Sequence, residues 1–228
     1  MDYLLSGFIG ALKLLFSFDR EIQEIIWLSL FVSSLSTIFA FILSIPSGIL
    51  IGLKTFKGRN ILIKIINTLM GFPPVLAGLL VYITVSRRGP LGSLGILFTP
   101  AAMIIAQTLL VFPIICGMII NYVETKGVRV YETLYALGAN RFDMAKYIVI
   151  ELKKEITSSV VAGFGRAISE VGAVMLVGGN IQHKTRVMTT YLVLQTNIGN
   201  YQGAIAIGLV LLTISFLVNT ILNRISRK

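Results

Sequence analysis

The feature that most constrains this chain is a set of long stretches without charge. Ile25–Leu53, Ile65–Ser86, Gly89–Val123 and Val187–Asn223 contain no Asp, Glu, Lys or Arg. About 20 mostly apolar residues suffice for a helix to cross the hydrocarbon core of a bilayer. Unpaired backbone groups are costly there, so such runs must become helices or a closed barrel. A barrel would read as roughly 10-residue segments of alternating polarity, and none is seen. The composition agrees: 55% of residues are apolar and 13% charged, the latter about half the share usual in soluble domains. Mean hydropathy is +0.86. The expectation is an all-α integral membrane protein with one transmembrane domain.

The apolar pattern predicts spans at about 26–52, 62–85, 100–122, 157–179 and 203–223, inside a domain covering 25–224. Residues 1–24 read as a short N-terminal helix and linker. Tyr3–Phe16 carries Lys13 and is short for a span. It suits either an amphipathic helix in the interface or a tilted sixth crossing. Residues 225–228 read as a short tail, with no regulatory domain after the last span.

Basic residues orient this arrangement. Lys54, Lys57, Arg59 and Lys64 fall on one side, as do Lys126, Arg129, Arg141, Lys146, Lys153, Lys154, Arg224, Arg227 and Lys228. Arg20, Arg87, Arg88, Lys184 and Arg186 fall on the other. Cytoplasmic loops collect Lys and Arg, so the richer side is cytoplasmic, and with it the C-terminus. The same rule accounts for the net charge of +10 without nucleic acid. The N-terminus does not resemble a cleaved signal peptide: its leading segment carries Asp2 and lacks a small-x-small cleavage site.

Several chemistries are disfavoured. One cysteine, Cys116, forms no intrachain disulfide, and one histidine, His183, has no second His or Cys to share a metal. The chain contains no Gly-Lys dipeptide, which a phosphate-cradling P-loop requires. No motor is encoded here, and no H-E-x-x-H or G-x-S-x-G motif supports an enzyme. Pro46, Pro73, Pro74 and Pro113 lie within predicted spans, where each removes a backbone donor and can kink its helix. Small residues in "AGFGRAISEVGAVMLVGG" predict close packing of the fourth span, in a bundle centre or an oligomer.

Between the third and fourth spans lies "YETLYALGAN" (Tyr131–Asn140), too polar to insert. Val130, Leu134 and Leu137 recur at helical spacing. Gly138 can stop a helix at positive φ. Asn140 can cap a second one, with Asp143 placed for a capping-box-like exchange. Phe142, Ala145 and Val149 give that second helix an apolar face. The pattern predicts helix, turn and helix over 128–154. Periodicity alone leaves two readings: a linker on the lipid headgroups, or a docking knob for a soluble partner.

"ETLYALGANRFDMAKYIVIEL" resembles the EAA motif of type I ABC importer permeases. Glu132, Gly138 and Ala139 match it, Thr133 and Leu134 replace the usual Ala-Ala, and Glu151 stands where many members have Pro. "GFPPVLAGLLVYITVSRRGPLG" (Gly71–Gly92) and "GRAISEVGAVMLVGGNIQHKTRVMTT" (Gly165–Thr190) resemble the molybdate- and tungstate-type permeases. The short chain and Glu151 are most similar to the tungstate branch. The resemblance covers about residues 25–224 and implies the MetI-like transmembrane fold. It implies ATPase coupling through Glu132, Ala136, Leu137, Gly138, Ala139 and Asn140. It further implies a homodimer, two cytoplasmic ATPase subunits that bind ATP and Mg, and an extracytoplasmic oxyanion-binding protein. No cofactor is expected in the chain itself. The competing class is an ATP-independent secondary transporter or channel. That class predicts coupling carboxylates and inverted repeats, but no repeat is visible and Glu170 is the sole intramembrane acid.

Arg166 and Glu170 are ionisable residues within a span, where a charge is costly. At i and i+4 they can pair. A structural pair is favoured over a pathway role, although Arg166, Ser169, Glu170 and Gly172 are together the pathway or gate candidates. Lys184 and Arg186, in the outer loop "NIQHKTR", are candidates for contact with a binding protein.

Overall fold

The computed structural model describes residues 9–10 and 20–227. Apart from a helical Ile9–Gly10, the segment Tyr3–Phe16 therefore lies outside the described residues. Ten α-helices follow from Arg20 onward: α1 (Arg20–Leu53), α2 (Arg59–Met70), α3 (Pro74–Val85), α4 (Pro100–Tyr122), α5 (Val128–Ala136), α6 (Arg141–Glu151), α7 (Lys153–Ile168), α8 (Gly172–Gly178), α9 (Met188–Asn197) and α10 (Tyr201–Arg227). A 3-10 turn at Gly92–Leu94 and a π turn at Val123–Gly127 complete the order. Among the described residues there is no strand.

The centre of the bundle is α4, touched by α1, α2, α3, α7 and α8. Met103, Ala106, Leu110, Val111, Ile115 and Ile119 are all buried along it. The first half of the predicted fourth span, α7, packs closely beside it: a Cβ on Gly163 would stand 2.8 Å from Ile115 Cδ1. Pro113 sits within α4 without ending it, and Pro46 does the same in α1. The α1–α4 contact is a ridge of small residues. Ser36, Ala40, Ser44, Gly48 and Gly52 recur every four residues, all buried. A Cβ on Gly48 would stand 2.5 Å from Ile119 Cγ2, and one on Gly52 would stand 2.6 Å from Val123 Cγ1. Only side chains this small let the two backbones approach so closely.

Among the described residues three helices are long and apolar enough to cross a membrane, and up to five spans result if each of two bent pairs counts as one. The predicted span at 62–85 is such a pair, with α2 and α3 meeting at 103°. Pro74 occupies the first turn of α3, and Pro73, at φ −61° and ψ 122°, is extended. A residue before proline is driven out of the α region, so two prolines in series end one helix and start another. The predicted span at 157–179 also divides, with α7 and α8 bent by 57°. The second helix of the predicted 128–154 pair does not run on unbroken either, because α6 and α7 are separated at Leu152.

Candidate functional site

The predicted knob begins as an extension of α4. Pro100–Ala136 forms one rod of 37 residues in which the π turn Val123–Gly127 joins α4 to α5. Gly138, at φ +78°, ends α5. Its amide donates to Tyr135 O and the Ala139 amide donates to Leu134 O, both at 3.0 Å. These two bonds form a Schellman closure, which satisfies carbonyls left over at a helix end. Asn140 then starts α6: its Oδ1 accepts from the Asp143 amide at 2.9 Å and its Nδ2 donates to Asp143 Oδ2 at 2.6 Å. The turn anticipated from Gly138, Asn140 and Asp143 is thus closed at both ends.

Side-chain placement differs from the periodicity. On α6 the buried residues are Met144 and Ile148, continued by Leu152, whereas Phe142 is 79% exposed. Phe142 is turned away from the bundle because Met144, Ile148 and Leu152 share one buried stripe at four-residue spacing, while Ala145 and Val149 of the predicted face are half-buried, Val149 against the core. On α5, Val130 and Leu134 are half-buried while Leu137 is 77% exposed. Tyr135 is also exposed, its ring stacked on Tyr131 with centroids 6.2 Å apart. Glu132, Ala136, Gly138 and Asn140 are exposed and Ala139 is half-buried. The tip therefore presents Tyr135, Leu137 and Phe142 outward from a fixed turn.

Two ion pairs anchor the π turn, and neither is among the candidates read from the sequence. Glu124 accepts from Arg59 Nη2. The same guanidinium donates to the carbonyls of Ile51 at 2.7 Å and Gly52 at 3.1 Å. Arg59 thus joins the last turn of α1, the first turn of α2 and the π turn. Lys126 pairs with Glu155 in the first turn of α7. The one available signal was the presence of charges where the rod leaves its apolar run.

The second candidate region is the break between α7 and α8. Arg166 Nη1 lies 3.0 Å from Glu170 Oε2, and the Glu170 side chain is 3% exposed against 34% for Arg166. Glu170 has left the helix that holds Arg166, which ends at Ile168, yet the pair still closes. Glu170 Oε1 accepts the Ala173 amide at 3.1 Å, capping the entry to α8. Its own carbonyl accepts from Thr189 Oγ1 at 2.8 Å. On the other side of the break, Gln107 Nε2 of α4 donates to Ala167 O at 3.0 Å, while Ser36 of α1 donates to Gln107 Oε1. A backbone break inside a bundle requires such partners. Ser169 is exposed and donates to Gly165 O. Gly172 lies close under α3, since a Cβ there would stand 2.8 Å from Val75 Cγ2. At this level Ser169 is exposed and Arg166 partly so, with the Glu170 carboxylate turned inward.

The loop 180–186 is folded onto α1. Arg186 Nη1 donates to Glu21 Oε1 at 2.9 Å, with 15% of its side chain exposed. His183 Nδ1 is 2.7 Å from Glu24 Oε2. Thr185 Oγ1 donates to Gly178 O and accepts the Ile181 amide. The two residues proposed for binding-protein contact therefore differ: Lys184 is exposed, whereas Arg186 is engaged within the chain. Arg87 and Arg88, which served only to orient the predicted spans, line a concavity of about 630 Å³ with Tyr82 and Phe98. Among the described residues no cluster of three or more His, Cys, Asp or Glu could hold a metal.

Residues 44–228 match the family described as "Binding-protein-dependent transport system inner membrane component". Over 222 residues, 97% of each chain, the protein is 47% identical to the tungstate uptake system permease protein TupB of Peptoclostridium acidaminophilum. It is 35% identical to TupB of Campylobacter jejuni, over all of this chain and 95% of that one. Its fold is similar to a chain of a bacterial alginate ABC transporter crystallised with an alginate-bound periplasmic protein, with a TM-score of 0.72 at 20% identity over 97% of this chain and 86% of that one. The rod-borne knob, the buried break and these likenesses agree: the chain belongs to the inner-membrane components of binding-protein-dependent transport systems, the permeases of ABC importers.

Proposed function

We propose that this permease carries tungstate inward across the cytoplasmic membrane. Two copies form the path, and two separate ATPase subunits, which bind ATP and Mg, drive it. The observation that carries the substrate is the 47% identity to a tungstate uptake permease across nearly the whole of both chains. The exposed Tyr135, Leu137 and Phe142, held on a turn fixed by Gly138 and Asn140, support docking of the ATPase at Glu132–Asn140, because clustered exposed apolar side chains mark interaction surfaces.

In this reading ATP-driven closure displaces the knob, and α5 passes the displacement into α4 through the π turn. Arg59 and Lys126 carry it sideways, to α1 and α2 and to α7. At the α7–α8 break, Arg166 offers positive charge to the passing anion while Glu170 is held away from it. Lys184, with Arg87 and Arg88, faces the extracytoplasmic binding protein that delivers the anion. The C-terminus lies in the cytoplasm. An ATP-independent transporter would need a free carboxylate to couple an ion, and Glu170 already uses both of its oxygens.

The test is reconstitution of the permease with its ATPase and anion-binding protein in vesicles. Tungstate-loaded binding protein should stimulate ATP hydrolysis and tungstate uptake, with molybdate weaker and sulfate without effect. Equal stimulation by molybdate would move the substrate assignment to the wider oxyanion class, and ATP-independent uptake would refute the importer reading.

A further inference from the structure

Beside the knob lies an apolar groove with a charged mouth. It has a volume of about 700 Å³ and runs between the cytoplasmic half of α1 and α6. Ile49, Leu50 and Leu53 form one wall and Val149 and Ile150 the other, with Tyr131 and Phe142 nearby. Leu50 is 50% and Ile150 51% exposed, so the groove opens sideways from the bundle. Lys54 and Lys146 also line it. Both are exposed, and neither forms an ion pair within 4 Å among the described residues, whereas the neighbouring cations Arg59 and Lys126 do.

This arrangement is amphipathic along one axis. Lys54 directly follows Leu53, the last residue of α1, so the lysines stand where the apolar run gives way to the cytoplasmic surface. An apolar helix seated in the groove would cover the walls and leave two cations without a counter-charge. An acyl chain ending in a phosphate satisfies both. Ile9–Gly10 do not cover the groove: a Cβ on Gly10 would stand 3.4 Å from Ala206 Cβ, in α10.

We propose that this groove binds an anionic glycerophospholipid of the inner leaflet, with an acyl chain along α1 and the headgroup phosphate between Lys54 and Lys146. The assignment rests on the orientation argued above and not on which anion is carried. The lipid would line the flank of the α5–α6 hairpin that receives the ATPase.

The test reads lipid binding rather than transport, so it stands apart from the substrate assignment. Native mass spectrometry of the purified permease–ATPase complex is titrated with phosphatidylglycerol and with phosphatidylcholine of the same chains. Two lysines near one phosphate should favour phosphatidylglycerol by about tenfold or more. Lys54→Gln with Lys146→Gln should remove that preference, and the Arg pair at the same positions should restore it. Ala145→Phe, which fills the groove and leaves the lysines in place, should lose the high-affinity lipid entirely. Unfolding temperature of each complex checks that the fold survives. A preference unchanged in the Gln pair overturns the proposal. So does an unchanged lipid count in Ala145→Phe, which would mean that protein covers the groove.

Discussion

Glu170 commits both carboxylate oxygens to its own chain, one to Arg166 and one to the Ala173 amide. Removing them leaves a helix start uncapped and a guanidinium unpaired. Glu170→Ala should lower the stability of the complex by roughly 1–3 kcal/mol, the range for an orphaned buried partner, because Arg166 is one-third exposed and water offsets part of the loss. Thermal unfolding of the complex measures this, with competition among tungstate, molybdate and sulfate as the second readout. Anion preference should stay the same; a changed preference at unchanged stability would place Glu170 on the path. Gly138 makes a conformational demand of a different kind. Nothing lies within 4 Å of a Cβ built there, so the difficulty is φ alone. Gly138→Val should cost about 1–2 kcal/mol in left-handed backbone and lower ATP-driven uptake, whereas Gly138→Asn, which tolerates that conformation, should retain most of it. Comparable losses in the two would argue for a steric contact at the tip instead. Gly138 and Asn140 were legible because their conformational roles are local. The Arg166–Glu170 pair was legible from spacing, but its inward turn depends on Ala173 and Thr189, which no spacing rule connects.

At the scale of elements, the bundle is organised by how closely α1 approaches α4. The ridge Ser36, Ala40, Ser44, Gly48 and Gly52 is visible in the sequence as small residues at intervals of four. Prolines were equally visible, but their consequences were not. Pro46 and Pro113 sit within helices that continue, while Pro73 and Pro74 turn the chain by 103°. The turn angle depends on where α3 comes to rest. Gly78 brings it so near α8 that a Cβ would stand 2.7 Å from Ala173 Cα, a contact between segments far apart in sequence. The ridge makes a prediction of its own. Gly48→Ala places a methyl against Ile119 and should destabilise by about 1–3 kcal/mol through overpacking. Ile119→Ala removes the opposing methyl at its own cavity cost of about 2–5 kcal/mol. The double variant should be less destabilised than the sum of the two, by at least about 0.5 kcal/mol. Additive losses in thermal unfolding would mean that the helices separate instead of meeting at this point.

Across the whole molecule, the knob moves the bundle only if its displacement reaches helices other than α4. The rod of 37 residues is about 55 Å long at 1.5 Å per residue, long enough to carry motion through a bilayer. Its weak point is the π turn, since such turns interrupt the regular hydrogen-bond ladder. That turn is also where Arg59 and Lys126 tie the rod to its neighbours. The two ties differ in construction, and the difference makes them separable. Lys126 and Glu155 form a simple pair, so exchanging them as Lys126→Glu with Glu155→Lys should preserve tungstate uptake per ATP hydrolysed. Arg59 holds Glu124 and the Ile51 and Gly52 carbonyls at once. Exchanging Arg59→Glu with Glu124→Arg therefore restores the charge pair but leaves the end of α1 without its donors. That complex should assemble and hydrolyse ATP while uptake per ATP falls several-fold, and Glu124→Gln alone should show a smaller loss of the same kind. If both exchanges preserve the ratio, the π turn is a passive joint and the rod acts on α4 alone. If both destroy it, charge order around the turn matters more than the capping of α1.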